Sequence, residues 1–127
     1  MGLPQTYDSP PTFYYILSMA ELVSFQNFIN ESFLDWDLQY RVHATKRMFQ
    51  RNITEDELLQ ALGTGFVIED YENDFPFPSV LVNGKTTLNR PIHLVVGIDK
   101  NSKRLYIITV YEPDLVKWID DYNRRII

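Results

Sequence analysis

The sequence contains no cysteine. Disulfide frameworks, thiolate zinc sites and iron–sulfur clusters are therefore excluded. No apolar run approaches the roughly 18 residues that a membrane-spanning helix needs. The start also lacks the basic n-region of a secretory signal, and Glu21 interrupts its apolar stretch. These absences predict a cytoplasmic protein that does not engage a membrane. Histidine is scarce too: only His43 and His93 occur, neither with a ligand partner at metal spacing, so no metal or other cofactor is expected. There is no G-x-S-x-G elbow, and Gly63-Thr64-Gly65 is too short for a phosphate loop.

A further absence is of one sign of charge. Met1 to Leu38 contains no Lys or Arg but carries Asp8, Glu21, Glu31, Asp35 and Asp37. The rest has 12 basic and 12 acidic residues, so the whole net charge of −5 belongs to the first 38 positions. A net −5 argues against a nucleic-acid partner only if the charge is evenly spread. Here Arg41, Lys46, Arg47 and Arg51 fall close together with His43 and no acid between them. That basic stretch is either the solvated side of a helix or a face for a polyanion.

What is present is enough for one folded domain: 127 residues, 45% apolar and 14% aromatic. Residues 1–17, with Pro4, Pro10 and Pro11, read as a disordered leader. Ser18 and Glu21 form a capping-box pattern ahead of Leu22, Phe25, Ile29 and Phe33, which predicts a helix over 18–34 within an acidic extension, 18–38. Asp35–Leu38 reads as a turn or linker. The main domain is expected over 39–127. A helix over 39–51 places Val42, Met48 and Phe49 on one side and the ridge of His43, Lys46, Arg47 and Arg51 on the other. Thr54 and Glu57 make a second capping box, opening a helix over 55–62 with Gly63 as its C-cap.

Strand character follows at Phe66–Tyr71, Val80–Val82, Ile92–Asp99 and Lys103–Glu112, with Glu72–Ser79 as a loop. Asn83-Gly84 reads as a hairpin turn. Pro113 and Asp114 are expected to open a C-terminal helix with Leu115, Trp118, Ile119 and Tyr122 inward. The fold class is therefore α+β: an antiparallel sheet of about four strands, with the N-terminal helices and the C-terminal helix on one face.

Pairing Ile98 with Arg104 puts His93 opposite Thr109, with Tyr111 one pair along on the same face and Arg90 close by. Ile92, Leu94, Val96, Ile98, Ile108 and Val110 form the apolar face. A histidine near its ordinary pKa can move a proton, and an arginine can stabilise phosphate charge. Each of these residues also has a plainer reading, as packing or as solvated surface.

Residues 43–55, His43-Ala44-Thr45-Lys46-Arg47-Met48-Phe49-Gln50-Arg51-Asn52-Ile53-Thr54-Glu55, resemble the opening H-A-x-x-R-M-x-x-R-x-I-[ST]-E of a family of unknown function, DUF4258. Ile68–Tyr71, Arg90–Val96 and Ile108–Asp114 with Trp118 resemble its later blocks, in register over about 40–125. That family is similar to the RelE, BrnT and MqsR groups of bacterial toxins. The resemblance implies a RelE-like architecture and a metal-independent endoribonuclease in which the 2′-hydroxyl attacks the adjacent phosphate. It also implies an RNA substrate and a cognate antitoxin with an MqsA-type zinc finger. On this resemblance His43 or His93 is the general base or acid, Lys46, Arg47, Arg51 and Arg90 hold the phosphate, and Tyr111 positions it. The alternative is a non-catalytic interaction module of the same fold, docking through the aromatic segment 18–38. A third possibility has that acidic segment covering the basic ridge.

Overall fold

In the computed structural model, residues 22–126 are described. The leader expected over 1–17 and the capping-box pattern of Ser18 and Glu21 lie outside the described residues. In chain order the elements are β1 (Val23–Ser24), α1 (Phe25–Ile29), a 3-10 turn (Phe33–Asp35), β2 (Asp37–Tyr40), α2 (Val42–Gln50), α3 (Glu55–Thr64), β3 (Phe66–Tyr71), β4 (Ser79–Lys85), β5 (Pro91–Asp99), β6 (Arg104–Tyr111), β7 (Trp118–Ile119) and β8 (Arg124–Arg125). The class is α+β, as the element order predicts. The sheet has six strands in the order β1-β3-β4-β5-β6-β2, and it is mixed: β2 runs parallel to β6, while the other neighbours are antiparallel.

One face of the sheet carries the main core. Val80, Val82, Ile92, Leu94, Val96, Ile98, Leu105, Ile107 and Val110 pack there against Phe25, Ile29, Ala44, Leu58, Ala61 and Leu62 of the three helices. The capping box at Thr54 and Glu57 forms as expected and starts α3. Gly63 is inside that helix, and Gly65 is its C-cap.

Several expectations are corrected. The helix expected over 18–34 is broken in its described part, because Asn30 takes a left-handed conformation (φ 63°) after only five helical residues. Phe25, Ile29 and Phe33 are still all buried. Their spacing records burial, but in a short helix and a separate 3-10 turn. Phe25, Phe33 and Trp36 belong to the domain's own core, so this aromatic segment is not an unpartnered docking surface. Glu31 and Asp37 pair with Lys103 and Arg104, at 3.1 and 3.0 Å, and not with the basic ridge.

Of the turn or linker expected at Asp35–Leu38, Asp35 ends the 3-10 turn and Asp37 and Leu38 begin strand β2, which also takes Gln39 and Tyr40 from the helix expected over 39–51. The buried face of α2 differs as well. Ala44 is buried and Met48 packs on the core, whereas Val42 and Phe49 are 74% and 87% exposed.

Asn83-Gly84 is not a turn. Both residues continue β4, and the chain reverses at Thr86–Arg90, where Asn89 is left-handed. Gly84 is required there by proximity: a Cβ on it would lie 1.9 Å from the Ala61 carbonyl oxygen of α3.

The β5–β6 register is shifted by one from the expected pairing, since Ile98 pairs with Leu105. A bulge at Val95/Val96 then places His93 directly opposite Tyr111 and removes Ile108 from the core face.

The C-terminal helix is absent among the described residues. Asp114 Oδ1 accepts from the Val116 and Lys117 amides, as a helix start would. The chain then turns into the β7–β8 hairpin, with Asp120, Asp121 and Tyr122 all left-handed. Asp and Asn tolerate that conformation, and the burial of Trp118 against the sheet outweighs the helical periodicity. Leu115 and Ile119 are exposed instead of inward.

Candidate active site

The second face of the sheet carries a cross-strand row, Phe66–Asn83–His93–Tyr111, each residue paired with the next. The segment 113–126 lies over this row as a strap. Trp118 packs edge-on against the His93 ring, with centroids 4.4 Å apart, and Arg125 stacks on the Trp118 ring at 4.8 Å. Arg125 also holds Glu69 through two bonds of 2.7 and 3.0 Å. Tyr71 donates a further hydrogen bond to Glu69. Burial alone would raise the Glu69 carboxyl, but the bonds from Arg125 and Tyr71 hold it below its ordinary range. The strap tip is tied by Asn83, which donates to the Asp121 carbonyl at 3.0 Å, and by His93 at the Tyr122 carbonyl, 2.9 Å from Nε2.

His93 is fully buried. The carbonyl at Nε2 requires a proton on that nitrogen, so Nδ1 is the acceptor and the Tyr111 hydroxyl, 3.1 Å away, donates to it. Burial pushes the His93 pKa down to about 4, so the ring is neutral at pH 7. Burial likewise pushes the Tyr111 phenol up to about 12.

Tyr111 lines a cavity of about 630 Å³ between the end of β6, the end of α2 and the strap. Four bases, Arg51, Arg90, Lys117 and Arg125, border it, against the two acids Glu112 and Asp114. Arg51 is held by a 2.8 Å bond from Nη1 to the Val110 carbonyl. Arg90 is the more constrained arginine. Its Nε binds Glu112 at 2.8 Å, Nη1 binds Glu57 at 3.1 Å and the Asn52 carbonyl at 2.8 Å, and Nη2 binds the Arg51 carbonyl at 2.9 Å. Glu112 and Glu57 raise its pKa above the usual guanidinium value. Arg90 therefore knits the turn, α2 and α3 together as much as it offers charge to the cavity.

Of the residues singled out from sequence, Arg51, Arg90 and Tyr111 meet at this cavity, and His93 sits directly behind Tyr111. His43, Lys46 and Arg47 do not line it. His43 is an exposed residue of α2 whose Nε2 accepts from Arg47 Nε at 3.3 Å. Lys117, Trp118 and Arg125 were not legible as site residues, because the expected C-terminal helix would have put Lys117 on its exterior. The Arg124-Arg125 pair shortly after Asp120-Asp121 was the one available signal. Among the described residues no three His, Asp or Glu side chains gather as a metal cluster, and no helix is long and apolar enough to cross a membrane.

A family model described as a domain of unknown function (DUF4258) matches residues 40–112. No curated protein and no solved structure matches the chain. The matched range holds Arg51, Arg90, His93 and Tyr111, and it ends before the strap. Because it covers more than half of the sequence, the chain belongs to the DUF4258 family.

Proposed function

We propose that the protein is a toxin-like endoribonuclease that cleaves single-stranded RNA at the Tyr111 cavity without a metal. The observation that carries this reading is the gathering of Arg51, Lys117, Arg90 and Arg125 around a tyrosine hydroxyl backed by a neutral, buried histidine. The bases attract and hold a phosphodiester. The 2′-hydroxyl oxygen attacks phosphorus and gives its proton to Tyr111 Oη, while the phenolic proton passes to His93 Nδ1. Negative charge building on the phosphate beside the ring offsets the cost of a buried imidazolium. The bond from phosphorus to the 5′-oxygen breaks, and the Lys117 ammonium protonates the leaving oxygen. The products are a 2′,3′-cyclic phosphate and a 5′-hydroxyl. The family's resemblance to RelE-type toxins supplies the biological setting, a cytoplasmic protein held in check by a zinc-finger antitoxin.

The test is cleavage of a defined single-stranded RNA in EDTA, with the 2′,3′-cyclic phosphate as the diagnostic product. Tyr111→Phe keeps the packing and removes the hydroxyl, and it should slow cleavage by about 10²-fold. Cleavage at the wild-type rate by Tyr111→Phe would overturn the assignment of Tyr111. RNA left intact by excess wild-type protein would overturn the activity itself. That second outcome favours a non-catalytic interaction module, a reading supported by Val42 and Phe49, which α2 leaves exposed to solvent.

A further inference from the structure

The two most exposed phenylalanines among the described residues, Phe75 at 94% and Phe49 at 87%, belong to surfaces of opposite charge. Phe49 lies on the outer side of α2. Val42, Lys46 and Phe49, spaced four and three apart, form one stripe turned away from Ala44 and Met48, the residues that α2 sends to the core. No acid occurs between Asp37 and Glu55. Arg47, beside the stripe, is held by two neutral acceptors, His43 Nε2 at 3.3 Å and Gln50 Oε1 at 3.1 Å. Those bonds fix its position without neutralising its charge.

Phe75 lies in the loop between β3 and β4, with Glu72 and Asp74 beside it and exposed. No Lys or Arg occurs between Arg51 and Lys85. Asp74 accepts from the Ser79 hydroxyl, which orients the carboxylate and leaves its charge in place. Phe77 pins the loop, its ring stacked on Tyr106 with centroids 5.4 Å apart and planes within 9°. A pinned loop has little freedom left to lose on binding.

A single exposed apolar side chain is ordinary on a protein surface. Here two aromatics, each set among charges of one sign, make a matched pair: ring against apolar stripe, and carboxylates against bases. They do not meet within one chain, since each is nearly free of contact. An RNA strand would use the bases of α2 but has no use for the acidic loop. A second copy of this chain uses both.

We infer that α2 of one copy receives the β3–β4 loop of the next, with Phe75 packed on Val42 and Phe49, and Glu72 and Asp74 beside Lys46 and Arg47. The two surfaces are different parts of the chain, so the contact is heterologous and repeats head to tail. A loop laid on two turns of helix is a small interface, and a Kd of about 10⁻⁴ M is expected. Neither surface lines the Tyr111 cavity, so the contact does not depend on RNA cleavage.

The test is sedimentation of the full chain from about 10 μM to about 1 mM, a range that spans this Kd. A helix variant carries Lys46→Gln with Phe49→Ala, and a loop variant carries Glu72→Gln with Phe75→Ala. All four changes replace exposed side chains, and far-UV circular dichroism checks that the fold is kept. The wild-type mean mass should rise with concentration beyond that of a dimer. Each variant alone should stay monomeric, its association weakened by at least about tenfold through the lost aromatic. An equal mixture of the two should form a 1:1 dimer and nothing larger, because only one intact loop and one intact helix remain to pair. A wild type that stays monomeric, or that stops at a dimer, would overturn the contact. So would a folded variant that associates like the wild type, or a mixture that stays monomeric. A monomeric wild type that binds RNA through α2, with binding lost in the helix variant, would overturn it and give that face to RNA.

Discussion

The Tyr111 hydroxyl donates to His93 Nδ1, because the other ring nitrogen of His93 is already committed as donor to the Tyr122 carbonyl. The pair is therefore set in one tautomer, with a neutral imidazole in the folded protein. Its pKa, near 4, lies below the ordinary value of about 6.5. Below pH 6.5 the unfolded chain binds a proton that the folded chain refuses, so stability falls as pH drops from about 6.5 to about 4, by roughly 3 kcal/mol. Glu57 and Glu69 are held below the ordinary carboxylate range. Their contribution begins to be lost as pH falls through the ordinary carboxylate value of 4.5, so the histidine slope is read free of them above about pH 5. Urea unfolding between pH 4 and 7 checks this. His93→Gln retains a donor for Tyr122 and should flatten the slope in that window; an unchanged slope would show that another group titrates.

Arg90 should matter to stability more than any other base at the cavity. It satisfies the carbonyls of Arg51 and Asn52 and pairs with Glu57 and Glu112. A lysine cannot reproduce that fork, and Arg90→Lys is expected to lower unfolding free energy by about 2 kcal/mol. Denaturant midpoints at constant m-value measure it.

Gly84→Ala should be among the most damaging small changes in the protein. The new methyl would meet the Ala61 carbonyl, so α3 must move off β4 at a cost of about 3 kcal/mol. Gly63→Ala is the matched control, because nothing lies within 4 Å of a Cβ there. It should leave stability unchanged or raise it by up to about 1 kcal/mol through better helix propensity.

RNA affinity and its salt dependence will distinguish the cavity from the ridge on α2. Lys117→Ala and Arg51→Gln should each weaken binding to a single-stranded RNA and reduce the salt slope by about 0.7. Lys46→Ala, outside the cavity, should leave both nearly unchanged. The opposite pattern would move the phosphate path to the outer face of α2.

The strong periodic signals survive in the structure because they report burial with little tertiary competition. The Thr54–Glu57 capping box and the apolar alternation of β5 are of this kind. The failures share a different cause. Asn83-Gly84 carries the composition of a turn, but its glycine answers to a helix packed across the sheet, which no local window contains. Trp118 fits a helical stripe and also a lid over His93, and only the three-dimensional partner decides between them. The site was legible in the same proportion. Arg51, Arg90, Tyr111 and His93 lie in the matched stretch and do converge, whereas the strap residues that complete the cavity depended on a helix that does not form.

The parallel strand β2 has a consequence for the order in which the chain assembles. Asp37 and Arg104, paired across its register, are 67 positions apart. Local hairpins close first, and a contact of that span is among the slowest to form. During synthesis Leu38 and Tyr40 emerge long before β6 exists, so they must wait, half-apolar and unpaired, until the β5–β6 hairpin is made. Strand β2, made well before its partner β6, is thus among the last parts to dock, and that interval is when this protein is most open to aggregation or to capture by another chain.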